Sequence, residues 1–296
     1  MAAVQYREIV SKRMINRVHG MPFKWSINPY RGCVHGCHYC YARGTHTYLD
    51  LNGDEDFSGI IFAKVNGPDL LRHELRQPSW RREDIAIGTA TDPYQPAEGR
   101  FRLTRRMLEV LNEARNPFTV VTKGTLVVRD SDLLADVARR AGCTVCFSIP
   151  TVDRSIWRST EPGTAPPDKR LRAMAILAAA GVCVGVLAAP IIPGLSGRSD
   201  LLEETARAAA EHGAMFFAAG ALHLGQGERT HYLHFLNQEY PELLGLHERL
   251  YRGKYPPREA VDQLDARVAE IRDHYGLAEW HRASSGPLQA ELAFGT

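Results

Sequence analysis

At 296 residues, 44% of them hydrophobic and 24% charged, the chain has an ordinary globular composition and length for one large domain with appendages, which excludes a disordered polypeptide. The net charge of +2 and a pI near 8.2 fall short of the roughly pI 9 and above that marks a nucleic-acid-binding domain by charge alone, so a nucleic-acid substrate is permitted but not indicated. Residues 1–13 carry charges where an export signal needs an apolar core, which predicts a cytoplasmic protein whose six cysteines serve as metal, catalytic or buried thiols.

In chain order, a basic arm runs to about residue 20 and a first strand over 23–27 delivers the chain into a cysteine-rich loop at 33–40. A helix is predicted over 41–49, a strand over 59–65, and a helix over 68–76 with Pro68 in its first turn, where the missing N–H is harmless. A strand over 84–91 leads into 92–98 and then a helix with Met107, Leu108, Leu111 and Ala114 on one face. Strands over 118–122, 143–149, 182–189 and 214–219 alternate with helices marked by Leu133, Leu134, Val137 and Ala138, by Leu171, Met174, Ala175 and Ala178, and by the stretch 200–212 capped by Ser199. The uncharged run Ile176–Leu195 has about the length of a bilayer span. Gly181, Pro190 and Pro193 interrupt it, so it reads as a helix end followed by a fully buried strand, with no membrane role.

This alternation predicts an α/β fold built of right-handed crossovers, namely a partial TIM-type (β/α)6 barrel over residues 21–225, with polar groups at the C-terminal ends of its strands. Residues 226–296 are expected to form a C-terminal helical extension, with Val261, Leu264, Val268, Ile271 and Tyr275 as an apolar stripe. A doubly wound sheet is the competing architecture, but no G-x-G-x-x-G turn or Walker loop supports it.

Cys33, Cys37 and Cys40 form a C-x3-C-x2-C array, three soft thiolate ligands within eight residues. They can fill three corners of a 4Fe-4S cluster and leave one iron open. Gly32 and Gly36 supply the positive φ that a short loop over a cluster needs. His35 and His38 keep a second option open, a closed Cys3His zinc site that only staples the loop of a non-enzymatic binding module, although zinc sites usually draw ligands from two separate knuckles.

The array, with Tyr39 just before its last cysteine, resembles the signature of the radical S-adenosylmethionine (SAM) enzymes, and the stretch Asn28–Arg43 resembles the branch related to spore photoproduct lyase. The resemblance implies a 4Fe-4S cluster held by Cys33, Cys37 and Cys40, SAM chelated at the open iron, and a low-potential electron donor of flavodoxin or ferredoxin type. It implies reductive cleavage of SAM to a 5′-deoxyadenosyl radical that takes hydrogen from a substrate, a nucleic-acid lesion or nucleotide being one candidate. Carried over by motif, Thr91, Lys123 and Ser148 become SAM contacts and Tyr39 lies near the adenine. For each of these a strand-end polar group satisfied by a neighbouring loop is the plain alternative.

Tyr41 and Tyr94 are candidates to face substrate or pass a hydrogen atom, though tyrosines also simply pack. Cys146 shares a strand face with Ser148 and is a third catalytic candidate, while Cys143 and Cys183 read as small buried hydrophobes. One departure stands out. In spore photoproduct lyase a cysteine that returns hydrogen to the product radical precedes the matching hydroxyl, and here that place is Ala90. Arg72, Arg76, Arg81 and Arg82 form a basic cluster that reads most simply as a solvated helix face.

Overall fold

A computed structural model of the chain describes residues 3–21 and 23–280. Its strands are β1 (Gln5–Ile9), β2 (Asn16–Arg17), β3 (Trp25–Ile27), β4 (Tyr30–Arg31), β5 (Ile60–Lys64), β6 (Ile85–Ile87), β7 (Phe118–Thr122), β8 (Cys143–Ser148), β9 (Cys183–Ile191) and β10 (Phe216–Ala221). The helices are α1 (Glu55–Gly59), α2 (Gly67–Leu75), α3 (Ala97–Phe101), α4 (Leu103–Glu113), α5 (Ser131–Arg140), α6 (Arg154–Thr160), α7 (Pro167–Ala179), α8 (Ser199–Glu211), α9 (Gln226–Glu239), α10 (Pro241–Leu250) and α11 (Arg258–Tyr275).

The main sheet has seven strands in the order β10-β9-β8-β7-β6-β3-β2, parallel throughout except for β2, which runs antiparallel to β3. Its central strands are the apolar runs the sequence suggested. All of β6 and β8 is buried, as a parallel sheet covered on both faces requires. Ile85, Val120, Val145, Phe147, Val184 and Val186 pack with Leu108, Leu111, Leu134, Met174 and Leu177 from the crossover helices into one core. From β3 to β10 the spatial order follows the chain, without the reversal that marks a doubly wound sheet. The sheet is nonetheless open, with β2 and β10 as edges, and no closed ring forms among the described residues.

Two expectations are corrected. The strand predicted over 59–65 does not join the main sheet; as β5 it lies in a second sheet, parallel to β1 and antiparallel to β4. Periodicity identifies a strand but not its partner, and here the partner comes from the segment read as an arm, whose β1 and β2 are both paired. The helix expected over 41–49 forms with those bounds, as a 3-10 helix. The strand predicted to continue to residue 91 stops at Ile87, because Gly88 takes φ 89° and a Cβ there would stand 2.5 Å from both Pro93 and the Val121 carbonyl.

At the other end, α11 buries Val268 and Ile271 in the main core, and Ala278 beyond it covers the β10 edge, donating to Met215 O (3.0 Å) and accepting from Phe217 N (3.1 Å). Residues 281–296 of the expected extension lie outside the described residues. No helix among the described residues is long and apolar enough to cross a membrane.

Helix α9 meets the 3-10 helix Tyr41–Leu49 backbone to backbone: a Cβ on Gly227 would sit 2.8 Å from the Gly44 Cα. Gly227→Val should therefore pry α9 off that helix and destabilise the protein by about 1–3 kcal/mol. Urea unfolding checks this, and an unchanged midpoint would show that the crossing is slack.

Candidate active site

The three thiols sit on a loop between β4 and the 3-10 helix that has little backbone hydrogen bonding of its own. Side chains from elsewhere hold it. Tyr30 is buried and donates to Glu98 Oε2 (2.6 Å), anchoring the approach. Gly32 and Gly36 have φ of 80° and 61°, as the loop reading requires, and a Cβ on Gly32 would stand 2.7 Å from the Ile60 carbonyl. The Gly32 carbonyl accepts from Thr91 Oγ1 (2.5 Å) and Gln95 Nε2 (3.0 Å), while Gln95 Oε1 accepts from Val34 N (3.1 Å).

Arg43 does the same from the other side. Its buried guanidinium donates to the carbonyls of Gly36 (2.6 Å), Cys37 (3.1 Å), Gly53 (2.9 Å) and Asp54 (3.1 Å). Burial pushes the Arg43 pKa down, and Cys40, Cys37 and Cys33 act against that, so the cation lies within the electrostatic reach of all three thiols. Burial, then Glu161, raises the Cys37 thiol, and burial followed by Cys33 pushes Cys40 up to about 11. Such thiols ionise when a metal centre draws off their protons.

These residues fit a polynuclear cluster. Three thiols and a buried cation face an apolar surround of Ala42, Phe57 and Ala90, which pack with Cys33 and Cys40. Of the two histidines that suggested zinc, His38 is engaged elsewhere, its Nδ1 3.0 Å from His231 Nε2, whereas His35 Nδ1 lies 3.4 Å from Asp92 Oδ2 and the ring also hydrogen-bonds the Cys33 thiol. Among the described residues no group of three His, Cys, Asp or Glu side chains, the thiols included, is gathered to hold a metal ion, so the fit rests on the donor types and their apolar surround.

A second polar group is assembled from the ends of β7 and β8. Lys123 Nζ donates to Ser148 Oγ (2.6 Å), pairs with Glu161 Oε1 (2.8 Å) and lies 5.6 Å from the centre of the Tyr39 ring. Glu161, just beyond α6, also accepts from the Tyr39 hydroxyl and from Arg170 Nη2, and Arg170 Nη1 donates to the Ser148 carbonyl (2.8 Å). Burial opposes ionisation of Glu161, but Arg170 and Lys123 outweigh it and hold the carboxyl at about 2. Asp92 ties this group to the loop, accepting from Thr122 Oγ1 (2.7 Å) and Lys123 N (2.6 Å) beside His35. Burial would lower the His35 pKa, but Cys33 and Asp92 raise it to about 10.

The structure thus brings Tyr39, Thr91, Lys123 and Ser148 around the cysteine loop, with the Thr91 hydroxyl already engaged by Gly32. Tyr41 is exposed, and its hydroxyl donates to the Thr89 carbonyl next to Ala90. Tyr94 packs in the main core and donates to Asp130 Oδ2 (3.1 Å), so its hydroxyl faces a structural network rather than the loop. Cys146 is fully buried beneath Ser148, and burial raises its thiol well above the ordinary range. The arginines near residue 76 lie at the opposite end of the sheet: Trp80 packs on Trp25, the first residue of β3, and Arg72 pairs with Asp69 and Glu113. Sequence reasoning assigned no role to Arg43, although it closes the stretch Asn28–Arg43, and missed Gln95, Glu161 and Arg170, none of which stands in a chemical motif. The one signal was a charged residue followed by Pro162-Gly163, marking a turn that carries Glu161 inward.

Residues 27–209 match the family model described as the Radical SAM superfamily. An uncharacterised protein of Mycobacterium tuberculosis strain H37Rv is 38% identical over 293 residues, covering 98% of this chain and 86% of that protein. An uncharacterised protein of Methanocaldococcus jannaschii is 27% identical over 239 residues, 81% of this chain and 85% of that one. Among solved structures, a spore photoproduct lyase double mutant with bound AdoMet and dinucleoside spore photoproduct matches with a TM-score of 0.70 at 19% identity, covering 91% of this chain and 79% of that one. A likeness at that identity speaks for the fold alone.

Removing the Glu161 carboxylate leaves Lys123 and Arg170 without their counter-charge, which should cost about 3–5 kcal/mol in Glu161→Ala. Because the folded-state pKa of about 2 lies below the ordinary 4.5, this stabilisation is fully present above pH 4.5 and is lost as pH falls through about 2. Urea unfolding of both proteins along a descending pH series checks it: the gap should narrow across that window, and a gap independent of pH would contradict the ion-pair account.

Proposed function

We propose, from the premise that this chain belongs to the radical SAM superfamily, that it is an enzyme cleaving SAM reductively at a 4Fe-4S cluster held by Cys33, Cys37 and Cys40. The carrying observation is that the cysteine loop and the Lys123–Ser148–Glu161 group, distant in sequence, meet at Tyr39, whose hydroxyl donates to Glu161 and whose ring centre lies 5.6 Å from Lys123 Nζ. When bound, the cluster supplies the electron that splits SAM into methionine and a 5′-deoxyadenosyl radical, which takes hydrogen from the substrate. The chain's own residues bind and orient. Lys123, with three N–H donors and two partners in hand, has one left for the SAM carboxylate. Ser148 fixes the ammonium in place, Tyr39 borders the adenine, and Thr91 holds the loop through Gly32. Arg43 balances the charge of the thiolates from beneath.

The strand order supports reading the open sheet as the partial (β/α)6 barrel. Successive right-handed crossovers stepping in one direction put the helices on a single face, and such a sheet curls around the other. The zinc-stapled module is the weaker reading, because His38 is turned to His231 and His35 is shared between Asp92 and Cys33. We place the enzyme in the cytoplasm and leave its substrate class open among nucleotides, modified DNA, peptides and small metabolites. Tyr41, whose hydroxyl reaches the backbone beside Ala90, is the tyrosine placed to face substrate.

Anaerobically reconstituted protein with dithionite should convert SAM to 5′-deoxyadenosine, and well-loaded protein that yields none would sink the proposal. Replacing Cys33, Cys37 or Cys40 by Ala should abolish iron–sulfur absorbance and product together. Lys123→Met should keep the cluster but raise the KM for SAM roughly ten- to a hundredfold, the worth of one charge-assisted hydrogen bond.

Ala90 leads to a second expectation. It packs against Cys33 and Cys40 and offers no thiol to a substrate radical formed there. Dinucleoside spore photoproduct incubated with reduced enzyme and SAM should yield side products at best. Efficient multiple-turnover release of intact thymines would show that another residue donates the hydrogen.

A further inference from the structure

Between α6 and α9 a cavity of about 660 Å3 opens beside the thiol loop, with His38, Phe235, Arg154 and Arg158 in its wall. Cys33 and Cys37 are 7% and 5% exposed and His35 and Tyr39 are also buried, while Val34, Gly36, His38 and Cys40 are partly exposed. His38, the chain neighbour of Cys37, is partly exposed and is the loop residue that lines this cavity. Its ring is fixed from several directions. It stacks on Phe235 at 4.2 Å and 8°, and on His231 at 5.1 Å and 10°, while His231 Nδ1 is held by Asp54 Oδ1 at 2.7 Å. The His38 N–H donates to the Thr160 carbonyl (3.0 Å), tying the loop to the end of α6.

The charges on the rim face outward. Arg154 and Arg158 are exposed, and the carboxylate paired with Arg154, on Asp168, lies at 3.8 Å, the outer limit of an ion pair. Among the described residues lining the cavity, the acidic one is Glu239. Lys123, Ser148 and Glu161 do not line it, so it is not where the residues assigned to SAM gather.

We propose that this cavity is the docking point of an acidic one-electron carrier protein, which reduces the cluster across the fixed His38 ring. The inference rests on the radical SAM reading and adds the face and charge of the partner. A carrier is too large to enter the barrel and must deliver its electron where the loop meets an accessible surface, and this cavity pairs such a surface with two exposed guanidinium groups. Electron-transfer complexes are small and transient, and charge steering rather than area sets their rates. Guanidinium groups matched to carboxylates supply that steering and some orientation. The step balances as one electron: the carrier's reduced centre becomes its one-electron-oxidised form, the cluster gains that electron, and no bond or proton is exchanged.

The test uses full-length reconstituted enzyme and flavodoxin in its hydroquinone form as the probe. Arg154→Glu/Arg158→Glu should slow cluster reduction by flavodoxin roughly tenfold or more at low ionic strength. It should also weaken binding of oxidised flavodoxin, measured by titration calorimetry. Reduction by dithionite and dithionite-driven 5′-deoxyadenosine formation should match wild type. The control, Arg76→Glu/Arg82→Glu, makes the same charge change in a groove at the far end of the sheet and should leave flavodoxin rates unchanged. Equal flavodoxin rates in wild type and the Arg154/Arg158 variant would overturn the proposal, and so would an equal loss in the control, which would reduce the effect to net charge. Loss of dithionite-driven activity in the Arg154/Arg158 variant would overturn it in favour of a substrate or SAM role for the cavity. Wild-type enzyme inert with dithionite would instead overturn the radical SAM reading itself.

Discussion

Holding three thiols on a loop that cannot satisfy its own backbone is the constraint on which the active end of this protein depends. A buried carbonyl without a donor costs on the order of 1–3 kcal/mol, and this loop presents several in succession. Arg43 supplies donors to Gly36 and Cys37 from one side, while Thr91 and Gln95 supply them to Gly32 from the other. The two groups come from different parts of the chain, the 3-10 helix after the loop and the segment beyond β6. The loop therefore acquires its shape only when the sheet has assembled, and its geometry is set by side chains that are not ligands.

The same logic explains the small second sheet. Phe57 O accepts from Cys33 N (3.0 Å), and the Ile60 carbonyl presses on Gly32, so α1 and β5 form the wall behind the first cysteine. That wall is braced by β1, which comes from the very start of the described chain. What reads as an appendage in sequence is a support for the thiol loop, and α9, crossing at Gly44, supports the far side.

Charge is managed in pairs. Two cations, the buried Arg170 and the partly buried Lys123, share the single carboxylate of Glu161, so the group carries one net positive charge in a site largely closed to water. Desolvating such a group is expensive, and it persists because each member has several partners. The surplus suits an anionic ligand group. Arg43 plays the matching part for the thiols, so the site holds compensating charge at both places where the proposed chemistry puts negative charge.

The sequence by itself determined the cysteine array, the α/β alternation and the strand-end polar residues. Each is a local pattern: ligand spacing within eight residues, apolar runs of strand length, and polar side chains where such runs stop. Tertiary structure decided the rest. It moved β5 out of the main sheet, because periodicity carries no information about which strand pairs with which. It turned Tyr94 into the core and His38 toward His231, since facing depends on neighbours absent from any local window. It also brought in Arg43, Gln95, Glu161 and Arg170, whose roles arise from partners 6 to 122 positions away in the chain. No local pattern announces the roles of such residues; they matter because burial makes every unpaired donor, acceptor and charge costly, and only the folded chain shows which of them meet.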